Sequence, residues 1–242
     1  MITAPELTEL KHEAALRALE EVRDGMVLGL GSGSTAEIFV AELGRRVRSG
    51  LNVVGVPTSE AVRREAIDLG IPVIDPDACA AIDLTIDGAD EIQPGTLALV
   101  KGHGGALVRE KLVAMLSRRE IIIADETKLV SNLGRRGPLP VAVVPFGWHS
   151  TAERLCGLGC AAELRRDAGR PFVSDDGLYV LDCSFGVIGD PVGMAQAISA
   201  ITGVVEHGLF LSLAEVAVVA GHAGVQVLRA SGPRDTRAAR VG

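Results

Sequence analysis

Short apolar runs alternate with amphipathic helical stretches through the first half of this chain, and no other feature restricts its fold as much. Met26–Leu30, Asn52–Val56, Leu84–Ile86, Leu97–Val100 and Ile121–Ala124 read as strands, with a brief one at Pro72–Ile74. Thr35–Val47, Glu60–Leu69 and Ala106–Ser117 lie between them and read as helices. Glu6–Val22 carries the same helical pattern ahead of the first strand, and Asp24-Gly25 ends it. Such alternation predicts a mostly parallel sheet covered by helices, a doubly wound, Rossmann-like α/β fold.

Around Ser131–Pro140 the texture becomes rich in glycine, proline and arginine. Predicted strands then fall at Val141–Val144, Ala162–Arg165, Phe172–Ser174 and Tyr179–Asp182, and helices at Ser150–Leu158 and Pro191–Ala200. The turns Asp167-Ala168-Gly169 and Asp175-Asp176-Gly177 are hairpin signals. We read residues 135–207 as a smaller α+β domain of ferredoxin-like type, placed to act as a lid. Residues 1–134 with 208–242 form the larger α/β catalytic domain, and Leu209–Leu213, Val216–Ala220 and Val225–Leu228 return to its sheet. The polar, arginine-rich Arg229–Gly242 reads as a frayed tail.

Hydrophobic residues make up 48% of the chain and the mean hydropathy is +0.31. The apolar runs are nevertheless far shorter than the roughly 20 residues a spanning helix needs. Met1–Leu7 lacks the basic and apolar regions of a secretory signal, so a cytoplasmic protein is expected. Cys79, Cys156, Cys160 and Cys183 form no CxxC pair, which argues against a disulfide framework. Cys156 and Cys160 could meet on one helix, but no second ligand pair points to a metal. A net charge of −7 and 3% aromatic residues argue against nucleic acid as a partner. An anionic substrate would have to be drawn in by local groups.

Three clusters at strand ends supply such groups. Gly29-Leu30-Gly31-Ser32-Gly33-Ser34-Thr35 joins a strand to a helix and can hold a phosphate on its backbone N–H groups. It also fits a relaxed dinucleotide fingerprint, but the second strand ends in Pro57-Thr58-Ser59 rather than an acidic residue, and three hydroxyls suit a single phosphate better. Asp87-Gly88-Ala89-Asp90-Glu91 sets three carboxylates together, a density that can raise a pKa toward the range useful for acid–base work. A divalent-metal site is its second reading. Lys101-Gly102-His103-Gly104-Gly105-Ala106 leads into a helix bearing Arg109-Glu110-Lys111, so Lys101, Asp87 and Glu110 could share one crevice. Its glycines permit unusual φ values and close approach to a ligand. Lys128 ends the next strand and could meet a phosphate.

These residues, in this order and spacing, resemble ribose-5-phosphate isomerase of the A type. The likeness runs from Lys11 in the first helix, through the clusters above and Asp125–Lys128, to Gly203–Phe210. It implies interconversion of D-ribose 5-phosphate and D-ribulose 5-phosphate through a cis-enediol, with no cofactor and no metal. By the same resemblance Glu110 is the general base, Asp87 helps open the furanose ring, Lys101 stabilises the enediolate oxygen and Asp90 orients substrate hydroxyls. Phosphate contacts fall to Ser32, Gly33, Ser34 and Thr35 with Lys11 and Lys128, while Gly102, Gly104 and Gly105 form the second loop. A homodimer or homotetramer is implied, with no nucleic acid or membrane partner.

Three positions depart from the family pattern. His103 replaces a glycine and would strain the loop if that position needed a left-handed conformation. Ser32 stands for threonine and His207 for asparagine. A sugar-phosphate-binding regulatory domain, an amino-sugar phosphate deaminase and a CoA-transferase-like enzyme are the alternatives, and the Asp87/Lys101/Glu110 set suits none of them well.

Overall fold

The computed structural model describes residues 2–232. The chain opens with helix α1 (Ala4–Leu19), strand β1 (Val27–Leu30), helix α2 (Ser34–Arg48), strand β2 (Val54–Pro57) and helix α3 (Glu60–Asp68). Strands β3 (Leu84–Asp87), β4 (Glu91–Gln93) and β5 (Ala98–Val100) follow, then α4 (Leu107–Leu116) and β6 (Glu120–Asp125). Next come β7 (Leu139–Val143), α5 (Trp148–Cys156), β8 (Ala161–Leu164), the two-residue strands β9 (Arg166–Asp167) and β10 (Arg170–Pro171), β11 (Tyr179–Ser184), α6 (Pro191–Ser199) and β12 (Val204–His207). The last strands are β13 (Leu209–Phe210), β14 (Val216–Gly221) and β15 (Gly224–Arg229).

Six strands form the main sheet in the order β15-β14-β6-β3-β1-β2, parallel except for β15. Ile121 and Ile123 of β6 pack in one cluster with Leu10 of α1 and Phe39 of α2. Ile122 and Ala124 point the other way, toward Ala114 of α4 and Phe210. Burial on both faces explains why the parallel strands are continuous apolar runs. From β1 the chain goes to β2 on one side, while β3 lies on the other. Ligands bind such sheets beyond the carboxyl ends of the strands where the order reverses, here β1 and β3.

The second half confirms the ferredoxin-like expectation. In chain order β7-α5-β8-β11-α6-β12 is a βαββαβ unit, and its antiparallel sheet is ordered β12-β7-β11-β8. Leu139, Val141, Leu155, Leu181 and Ile198 fill its core. Strands β9 and β10 pair across Ala168 (φ 46°) and Gly169 (φ 80°), the hairpin read from the turn residues.

Several strands differ from expectation. Ala98–Val100 is not in the parallel sheet; it pairs antiparallel with β4 and with β13 in a separate three-stranded sheet. The stretch between β3 and β5 holds no helix and is too short for a parallel crossover. Leu209–Phe210 consequently returns to that small sheet, and only β14 and β15 rejoin the main one. Pro72–Ile74 and Phe172–Ser174 each make a single bridge, at Val73 and Val173, rather than a strand. Helix α5 ends at Cys156 with Gly157 as its cap, so Cys160 lies beyond the helix. Of the predicted tail, residues 233–242 lie outside the described residues. No helix among the described residues is long and apolar enough to cross a membrane.

Candidate active site

The ends of β1 and β3 meet because glycine follows β1 where β3 comes closest. A Cβ at Gly31 would lie 2.1 Å from Asp87 Oδ1 and 2.5 Å from the Asp87 Cα. With hydrogen there instead, the Asp87 carboxylate tucks under the turn. Its Oδ1 accepts the N–H groups of Ser32 (3.1 Å) and Gly88 (2.7 Å), and its Oδ2 is 2.9 Å from Lys101 Nζ.

Lys101 follows β5 and reaches the site because its chain end is pinned, its N–H donating to the Gly208 carbonyl at 2.9 Å. Its ammonium donates to the Gly88 carbonyl and lies 3.2 Å from Glu110 Oε1. Glu110 sits in the first turn of α4 and also accepts the Ser32 hydroxyl at 3.0 Å. Asp87, Lys101 and Glu110 are all buried. Glu110 Oε2 has no hydrogen-bond partner among the described residues, which leaves one carboxylate oxygen for an incoming group.

Two carboxyl groups around one ammonium are short of positive charge. Burial pushes the Glu110 carboxyl up to about 7; Lys101 opposes this and the Asp87 charge adds to it. Burial likewise raises Asp87, against the pull of Lys101 and with a push from Glu120. For Lys101 burial acts to lower the pKa, but Asp87 and Glu110 outweigh it and hold the ammonium above its ordinary value. The trio therefore offers a fixed cation beside a base poised near neutrality.

Lys101 and Glu110 border a cleft, with Asp87 beneath them. Lys101 and Glu110 line one part, with Asp90, Gly102 and Gly104, and Ser32, Gly33, Ser34, Thr35 and Lys128 line the rest. Helix α2 begins at Gly33 (φ 91°) with no side-chain cap, leaving first-turn N–H groups for an anion. Lys11 stands behind this wall and donates to Ser34 Oγ at 2.9 Å. The structure thus brings the candidate catalytic and phosphate residues to one region, with differences of place. Asp87 lies beneath the cleft lining, Lys11 behind it, and Gly105 borders an adjoining cleft against Phe172.

The three acidic residues from the end of β3 to the start of β4 do not form one cluster. Glu91 turns away into β4 and accepts the N–H groups of Gly134 (2.6 Å) and Arg136. The charge that raises Glu110 is Asp87, brought together with it by the fold, because neighbouring residues at a strand end project in different directions. The glycine loop also differs from expectation: Gly102 (φ 101°) and Gly105 (φ 86°) take positive φ, whereas His103 and Gly104 do not, so the histidine brings no left-handed strain.

Sequence reasoning missed Arg165, whose Nη1 donates to the carbonyls of Gly102 (3.0 Å) and His103 (2.9 Å) while its Nε is held by Asp182 at 2.9 Å. No local signal links residues so far apart in the chain. Lys111 and His207 also acquire a reading. Lys111 Nζ donates to Glu206 (2.6 Å) and to the His207 carbonyl (2.7 Å), clamping α4 to β12. Burial first, then Lys111, pushes His207 down to about 4, and its Nδ1 accepts the Leu209 N–H at 3.2 Å. Among the described residues no group of three His, Cys, Asp or Glu side chains is arranged to hold a metal ion.

The chain matches the family model described as ribose 5-phosphate isomerase A (phosphoriboisomerase A) over residues 54–224. It is 53% identical over 226 residues to the ribose-5-phosphate isomerase A of Gloeobacter violaceus, covering 93% of this chain and 98% of that one. The solved ribose 5-phosphate isomerase A of Methanocaldococcus jannaschii aligns with a TM-score of 0.87 at 38% identity, over 91% of this chain and 98% of that chain. A D-ribose-5-phosphate isomerase solved in complex with phospho-erythronic acid aligns at 0.89 and 37%, over 92% and 99%.

Proposed function

The chain belongs to the ribose 5-phosphate isomerase A family, and we propose that it interconverts D-ribose 5-phosphate and D-ribulose 5-phosphate with Glu110 as the base. The observation that carries this assignment of the base is the Glu110 carboxylate: one oxygen is held by Lys101 and Ser32, and the other has no hydrogen-bond partner among the described residues.

In the open-chain aldose the C2 proton is acidic because it lies next to a carbonyl. Glu110 removes it, the electron pair moves into the C1–C2 double bond, and the former carbonyl oxygen takes up negative charge. Lys101 and the N–H groups of the glycine loop stabilise that oxygen, an interaction stronger in the transition state than in the bound sugar. The O2 proton passes to O1, and as Glu110 returns the carried proton to C1 the electron pair left on O2 closes the C2 carbonyl of the ketose. Asp87 takes the ring-opening and hydroxyl-proton role from beneath the cleft, through Lys101. Asp90 orients the sugar hydroxyls from the wall. The phosphate lies on the start of α2 among Ser32, Gly33, Ser34 and Thr35, with Lys11 and Lys128 supplying positive charge; Gly102, Gly104 and Gly105 shape the facing loop. Residues 135–207 act as a second domain, a lid whose Arg165 holds that loop.

The match extends over nearly the whole length of relatives that carry the isomerase name, which decides against the deaminase, CoA-transferase and regulatory alternatives. The same reading includes a cytoplasmic enzyme that works as a dimer or tetramer. A single-chain mass in light scattering would remove the oligomer from that reading.

The test is formation of ribulose 5-phosphate from ribose 5-phosphate by the purified protein. Wild type is expected to turn over, and Glu110→Gln to lose about 100-fold or more in kcat with little change in KM. A folded wild type without turnover overturns the function; a variant that loses binding along with turnover overturns the base.

A further inference from the structure

His103 interrupts the run of glycines at 102, 104 and 105, and its side chain is not used in the chemistry above. We propose that His103 is a positioning residue that holds the Asp90 carboxylate in the orientation that meets the sugar hydroxyls, and so sets how tightly this enzyme takes its substrate. The proposal rests on the reading of Asp90 as substrate-orienting.

Asp90 lies in the bend between β3 and β4, with its side chain partly exposed on the cleft wall. Among the described residues, His103 meets both oxygens of its carboxylate. The His103 N–H donates to Oδ2 at 3.0 Å, and ring Nδ1 lies 3.4 Å from Oδ1. One residue thus addresses both oxygens, which fixes rotation of the carboxylate about its own axis.

The ring is itself held. Its Nε2 is 3.0 Å from the Pro138 carbonyl and its Nδ1 faces Asp90 Oδ1; both partners only accept, so the ring bridges them with hydrogen on both nitrogens, as the imidazolium. Gly137 makes room for it: a Cβ there would come within 2.8 Å of His103 Cε1. The His103 carbonyl is bonded to Arg165, which Asp182 anchors on β11. Asp90 is therefore tied through one imidazole to the segment entering β7 and, through the main chain, to the four-stranded sheet. A carboxylate left to rotate would have to be ordered by the substrate, and fixing one such side chain weakens binding by roughly 2- to 10-fold.

The experiment is steady-state kinetics on ribose 5-phosphate with His103→Ala, His103→Asn, Gly137→Ala, Asp90→Ala and the His103→Ala/Asp90→Ala double variant, each checked by melting. His103→Ala is expected to raise KM roughly 2- to 10-fold with kcat nearly unchanged. His103→Asn, whose side-chain amide can donate toward Asp90, should recover most of the loss. Gly137→Ala, which displaces the ring without altering either partner, should raise KM as His103→Ala does. In the Asp90→Ala background His103→Ala should add nothing. An unaltered KM in His103→Ala, or the same KM rise with and without Asp90, overturns the proposal. An Asp90→Ala variant that behaves as wild type overturns the reading of Asp90, and this proposal with it.

Discussion

A carboxyl group shut away from water beside a second carboxylate keeps its proton to higher pH, and this governs Glu110 in two ways. As a base it works only when ionised, so kcat/KM should rise with pH until Glu110 is deprotonated above about 7. As part of the fold it is tolerated best when neutral. An unfolded chain ionises Glu110 near 4.5, whereas the fold delays this to about 7, so its contribution to stability is complete below 4.5 and is lost as pH rises through 7. The difference amounts to about 3 kcal/mol above that window. Glu110→Gln keeps the neutral shape at every pH, so it should melt above wild type at pH 8, with the gap closing as pH falls toward 4.5. A gap independent of pH would show that burial is not what raises this group. Most of the site residues were legible because they sit at a strand end, in a glycine loop or, for Glu110, in the first turn of the helix such a loop opens. The sequence also put Asp87, Lys101 and Glu110 in one crevice, as the fold does, but it grouped Asp87 with Asp90 and Glu91 too, from which Glu91 turns away; the unstrained φ of His103 could not be read from residue type.

Among elements, strand β1 decides whether this site can exist. Gly29 within it and Gly31 just after it let β3 approach closely: a Cβ at Gly29 would lie 1.9 Å from Thr85 Oγ1, and one at Gly31 would collide with Asp87. The backbone at Gly31 has ordinary φ, so Gly31→Ala tests the approach and not a turn conformation. It should destabilise by about 1–3 kcal/mol, as overpacking does, and reduce turnover because Asp87 and hence Lys101 are displaced. Wild-type melting and turnover together would contradict this account of the strand. Apolar periodicity found nearly all the helices and the parallel strands, since both depend on short-range pattern. It could not assign Ala98–Val100 to its sheet, because an apolar run looks the same in either. It passed over β4 and β12, which are short and carry charged residues.

On the scale of the whole molecule, the main sheet supplies Ser32–Thr35, Asp87 and Lys128 from its strand ends, and the smaller βαββαβ unit fixes the facing loop through Arg165. Both architectures could be anticipated from element order, since connection rules leave few ways to arrange such a series. The contacts between them could not, because Arg165 and Gly102 meet only after both halves have folded. Lys101, Asp87 and Glu110 thus join a buried cation and a base near neutrality in one place, and the central claim is that Glu110 carries the proton between C2 and C1. The most direct test is the reaction in deuterium oxide, followed by proton NMR, with wild type beside Glu110→Gln. Deuterium should enter the sugar phosphate at C1 or C2 with wild type, and at least about 100-fold more slowly with the variant. Exchange at the wild-type rate in Glu110→Gln would contradict the claim and place the base elsewhere.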